Sequence, residues 1–181
     1  MFRLRLLVLT LISISIACFA QDAHQHAEQA RAIYKQKYSS KLVPLLTEVL
    51  RFPTVEGNTE ARDQQQKWIE KVGTELGFTV RHAGLITEVE LPAKANAPVL
   101  GLVVHGDVQP VNPAEWTFPP FSGVEKNGVV YGRGSADDKG GLVQALLAMA
   151  ALRDSNAPRT HTIRLLVGSD ESCSDRDGAA R

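Results

Sequence analysis

The sequence lacks an excess of charge, an internal repeat, a membrane-length apolar run and all but two cysteines. Lys plus Arg equals Asp plus Glu at 20 each, which argues against a nucleic-acid binder or a polybasic membrane surface. No apolar stretch approaches the ~20 residues of a transmembrane helix. No repeat or long low-complexity tract points to a solenoid or a disordered chain. The two cysteines are Cys18 and Cys173. What remains is ordinary for a globular protein: 181 residues, 44% hydrophobic and 22% charged, about one domain with enough chain to bury a core.

The first twenty residues read as a separate object. "MFRLRLL" places Arg3 and Arg5 ahead of the apolar run "LLVLTLISISIA", and "CFAQD" follows with Ala20 before Gln21. A charged start, a short apolar centre and a small-residue exit describe a secretory signal peptide over residues 1–20. The chain is therefore expected to be exported, to a periplasm or beyond the cell, with no stable membrane span after cleavage. Ser15 is a poor residue three positions before Cys18, which disfavours a lipoprotein anchor there. Cleavage after Ala20 removes two of the 20 basic residues and none of the 20 acidic ones, so the mature chain carries a net charge of −2. It also leaves Cys173 alone, so no disulfide forms within the mature chain and packing must hold it together.

Residues 22–50 read as helix, with a break expected near "YSS" (38–40) and Pro44; residues 21–40 form a helical lead-in. "RFPTVEGN" (51–58) is a loop. "TEARDQQQKWIEKVGTELGF" carries Trp68, Ile69, Val72 and Leu76 on one stripe, and Gly77 suits its C-cap. Short strands follow at 78–82 and 86–91. "VLGLVVH" (99–105) is almost wholly apolar, as expected of a strand buried on both faces. Asn127-Gly128 between short apolar runs signals a hairpin. "KGGLVQALLAMAAL" (139–152) reads as a buried helix, and "HTIRLLVG" (161–168) as another buried strand. Helices alternating with buried strands predict an α/β fold with a mainly parallel sheet and flanking helices. In such sheets ligands gather at the carboxyl ends of strands.

Three such ends carry polar chemistry. In "VVHGDVQP", His105 and Asp107 stand two apart, so strand periodicity puts both on one face; they fit a zinc-binding imidazole with an orienting carboxylate, or simply a capped strand end with a hydrogen-bonded histidine. In "YGRGSADDKGG", Asp137 and Asp138 are adjacent ahead of the 139–152 helix; one fits an N-cap, whereas two repel unless a cation lies between them. In "LLVGSDE", Asp170-Glu171 end a strand, as active-site acids or as a solvated turn. Together they are a carboxylate-rich histidine set suited to divalent cations.

In order and spacing, "HGDVQPVNPAEWTFPPFSG", "GVVYGRGSADDKGG" and "LLVGSDE" closely resemble the co-catalytic zinc metallopeptidases: carboxypeptidase G-type enzymes, bacterial dipeptidases, carnosinases, aminoacylases, and acetylornithine and succinyl-diaminopimelate deacylases. The resemblance covers about residues 41–172. The ungapped "DDKGG" and the Trp116 to Phe121 segment lean toward the dipeptidase and carboxypeptidase branch. It implies two zinc ions per intact site, with cobalt or manganese as alternatives. It implies His105 as ligand to one ion, Asp107 as the acid orienting it, Asp137 as the bridge between the two, and a cis peptide between Asp137 and Asp138. Glu171 would be the general base, and a small peptide the substrate, with N-acyl amino acids as the alternative.

The likeness fails at Ser172, where the family has a zinc-binding glutamate. The later ligands and the lid domain that commonly supplies dimer contacts are not in the sequence. Residues 41–172 are thus expected to be the N-terminal part of a catalytic domain, with 173–181 a polar tail. The expectation is of a zinc metallopeptidase by family in a truncated or frameshifted, incomplete chain, with a non-catalytic fragment as the alternative.

Overall fold

A computed structural model describes residues 22–169. The signal segment 1–20, the acid pair Asp170-Glu171, Ser172, both cysteines and the polar tail lie outside the described residues.

The elements in chain order are α1 (22–33), a π-helical turn Tyr34–Tyr38, α2 (Ser39–Val49), α3 (Thr59–Glu75), β1 (Thr79–Ala83), β2 (Ile86–Leu91), β3 (Val99–His105), β4 (Val124–Lys126), β5 (Val129–Tyr131), α4 (Lys139–Asp154) and β6 (Thr162–Gly168). The break expected at 38–44 is not a break. The irregularity is the π turn, where Ser39 N–H reaches back to the carbonyl of Tyr34, and Pro44 lies inside α2. Proline deprives the carbonyl four residues earlier of its helical partner; that residue, Ser40, is exposed, so water can satisfy it.

α3 starts where Asn58 accepts a hydrogen bond from Ala61 N–H at 3.1 Å and donates its amide to the carbonyl of Pro53 at 3.0 Å. Asn58→Ala removes both bonds and should lower unfolding free energy by about 1 kcal/mol. Asn58→Asp keeps the capping oxygen and should lose less. Urea denaturation of the two variants checks the ranking, and equal losses would mean the cap contributes nothing.

Four strands form one sheet in the order β1-β2-β6-β3. The α/β class with flanking helices holds, but the described sheet is mixed: β1–β2 and β2–β6 are antiparallel, and only β3–β6 is parallel. The turns explain the directions. Gly84-Leu85 joins β1 to β2 directly, and so short a link can only make a hairpin. Between β3 and β6 lies the α4 crossover, which a parallel pair requires. The β4–β5 hairpin turns at Asn127 and Gly128, both at positive φ (55° and 78°), as its sequence predicts.

α3 packs on β1 and β2, α4 packs on β3 and β6, and α2 lies against α4. Leu142, Val143, Leu146, Leu147 and Ala150 of α4 are wholly buried, against Val89 of β2 and Leu165 and Val167 of β6. The opposite face of the sheet is charged where Arg81 and Arg164 share Glu90. β3 departs from expectation. It is an edge strand, and Val99, Leu100 and Val103 are 48%, 52% and 56% exposed, not buried on both faces. Its composition is that of a central strand, yet among the described residues only β6 pairs with it.

Candidate metal centre

β3 and β6 run side by side and end together, His105 opposite Gly168. Gly106 then leaves the strand under close control. Its N–H donates to the carbonyl of Gly168 at 2.8 Å, its own carbonyl accepts from the Thr54 hydroxyl at 2.7 Å, and Val108 N–H donates to the carbonyl of Thr54 at 3.0 Å. A Cβ here would press on the end of the Gln65 side chain, which is fully buried beneath it and would have to move.

This turn aims the histidine. The main-chain oxygen of Asp107 lies 3.0 Å from His105 Nδ1. A carbonyl can only accept, so Nδ1 carries a proton and Nε2 is the nitrogen turned toward Asp137. Nε2 lies 3.0 Å from Asp137 Oδ1. The Asp107 carboxylate is buried, 3% exposed, and its Oδ1 stands 3.7 Å from Nδ1. The residue expected to orient His105 is thus beside it, with its backbone making the closer contact. Burial presses the imidazole toward its neutral form; the bonds to Asp137 and to the Asp107 carbonyl, with both carboxylate charges, outweigh that and raise its pKa above the ordinary value.

Asp137 arrives from the loop before α4. The Asp137–Asp138 peptide is cis. Asp138 occupies the N-cap position of α4 without a side-chain capping bond. Lys139 follows directly in the chain. Its side chain is wholly buried and its Nζ donates to the carbonyls of Phe52 at 2.6 Å and Val49 at 3.2 Å. It ties the start of α4 to the end of α2. Burial lowers its pKa from 10.5 to about 7, against the opposing pull of the Asp107 charge. The only signal was a lone lysine heading an apolar helix. Thr54 gave none, because its partner, Gly106, is remote in sequence. The structure therefore brings His105, Asp107 and Asp137 together; Glu171 lies outside the described residues.

Comparison with known proteins decides the kinship. Residues 101–181 match the family described as "Peptidase family M20/M25/M40". Over this segment the chain is similar to the M20 peptidase family. A probable succinyl-diaminopimelate desuccinylase of Staphylococcus epidermidis is 42% identical over 90 residues, which is 49% of this chain and 21% of that protein. The solved structure of an M20 family metallo-carboxypeptidase from Sulfolobus solfataricus matches with a TM-score of 0.65 at 28% identity, over 72% of this chain and 31% of that one. Human carnosine dipeptidase 1 shares the fold, with a TM-score of 0.70 at 18% identity over 83% of this chain and 36% of that one. The chain thus spans between a fifth and about a third of the length of these M20 relatives.

The donor chemistry fits a divalent ion in kind. An imidazole nitrogen and an exposed carboxylate oxygen meet at 3.0 Å, and the other ring nitrogen is held by a backbone oxygen, the usual second-layer support of a metal-binding histidine. It is short in number. Among the described residues no three His, Cys, Asp or Glu side chains gather to hold a metal, whereas a zinc site uses three or four protein ligands.

Proposed function

We propose that this chain is part of a zinc-dependent M20 hydrolase that cleaves the amide bonds of small peptides, with His105 and Asp137 as ligands. The observation that carries the reading is the approach of His105 Nε2 and Asp137 Oδ1 to 3.0 Å at the carboxyl end of β3, with Nδ1 already committed. A divalent ion held there supplies Lewis acidity, making a water ionisable near neutral pH and polarising a substrate carbonyl. The Asp107 carbonyl holds the Nδ1 proton and turns Nε2 toward Asp137. Glu171 is assigned the proton transfer, taking a proton from the attacking water and returning it to the leaving amine.

The substrate class divides two ways. The named carboxypeptidase supports peptides, and the named desuccinylase supports N-succinyl or other N-acyl amino acids. Dipeptides and N-acyl amino acids offered side by side separate these.

With two ligands among the described residues, the chain should bind zinc weakly, and His105→Ala or Asp137→Ala should weaken it at least tenfold further, since even losing a supporting partner of a ligand costs 10–100-fold. Titration calorimetry with zinc checks this. Zinc affinity unchanged by both substitutions would refute the assignment.

A further inference from the structure

The end of the sheet away from His105 holds a cleft that the hydrolytic site does not use. Loop 92–98 enters β3 and loop 155–161 enters β6, and Val99 stands opposite Thr162 where these strands begin. Between the loops is a cleft of about 550 Å³, lined by residues 92–97 and 156–160, within the size range of small-molecule sites. The seven residues of β3 separate it from His105 by about 20 Å.

Its lining contains two cations, Lys94 and Arg159, and no acid. Neither forms an ion pair among the described residues, whereas Arg81, Arg153 and Arg164 each hold a carboxylate. Arg159 is the more telling. Its Nε is shut off from solvent with no hydrogen-bond partner, and its one hydrogen bond is a long Nη2 contact of 3.4 Å to the carbonyl of Pro92. A guanidinium is thus held in the wall with donors unspent. Asn96 and Asn156, at φ 59° and 53°, turn the two loops and add amide groups. The remaining lining is mostly alanine and proline.

We propose that this cleft binds a small organic anion with two carboxylates on a short aliphatic body. Arg159 takes one carboxylate through the Nη1–Nη2 edge of its guanidinium, its Nε being shut off from solvent. Lys94 neutralises the other. The alanine and proline walls cover the methylenes. A concave, acid-free surface with two cations focuses positive potential on such a ligand.

The test is a titration of the whole chain with glutarate, followed by backbone amide NMR shifts. Saturable shifts confined to 92–97 and 156–160, with none at His105 or Asp137, are expected. Arg159→Gln should weaken binding at least fivefold and Arg159→Lys less. Both substitutions lie in a surface loop, and unchanged shifts elsewhere establish that the fold is kept. The neutral diamide glutaramide should produce no shifts. Shifts spread over unrelated basic residues, or equal affinity in Arg159→Gln, would overturn the site. Inorganic phosphate binding as tightly as glutarate would overturn the dicarboxylate assignment.

Discussion

Gly140→Ala is expected to lower unfolding free energy by about 1–3 kcal/mol and to weaken metal binding together with it. Two effects compete. Alanine in a helix is intrinsically better than glycine by roughly 0.5–1 kcal/mol, and α4 begins one residue earlier, at Lys139. Against that, a Cβ at Gly140 would press on the main-chain carbonyl oxygen of Ser135. A backbone atom cannot rotate aside, so segment 135–139 must shift. That segment carries Asp137, and Lys139 at its end is pinned to α2. Overpacking wins because the helix gain is small in a first turn. Gly101→Ala is the control: a Cβ there meets nothing within 4 Å, so it should be close to neutral. Denaturant melts and zinc titration of both variants check this. A Gly140→Ala chain as stable as the parent would show that the loop gives way freely.

Asp154 should make the fold acid-sensitive. Burial works to raise its pKa, but hydrogen bonds from Arg153, Tyr38 and Lys37 overcome it and hold the carboxyl at about 2, against an ordinary 3.8. The folded value is depressed, so the stabilisation is fully present above pH 3.8 and is lost as pH falls through 2. Two pH units correspond to roughly 2.5 kcal/mol. The cluster sits near the surface, with the Lys37 side chain 56% exposed, so screening should leave about 1–2 kcal/mol. Asp154→Asn should therefore be weaker than the parent by that amount at pH 7, and the two should converge near pH 2. Urea midpoints across this range test it. A constant difference at every pH would mean that the loss is packing, not charge.

Much of this is legible in the sequence, because it depends on neighbours in sequence. Asn127-Gly128 specify a hairpin turn through their own backbone preferences. The apolar run of α4 can only be a buried helix. His105 and Asp137 were found because strand ends and acid pairs are local patterns. The errors share a physical cause. "VLGLVVH" reads as a central strand, but its burial depends on which strands and helices lie beside it, and a run of residues does not state that. The direction of β2 against β6 depends on a sequence-distant pairing. Pro44 reads as a stop, although a solvated carbonyl suffices to carry a helix past it. Lys139 and Thr54 carry no local signal because each bonds a main-chain group distant in sequence.

One further consequence follows from the turn after β3. The proton on His105 Nδ1 is held by the oxygen of residue 107's own peptide unit, a group every amino acid possesses. The imidazole's orientation therefore depends on the path of the main chain, which Thr54, Gly168 and the absence of a side chain at 106 dictate. The side chain at 107 adds its charge beside that nitrogen, 3.7 Å away, while the backbone at 107 holds the proton.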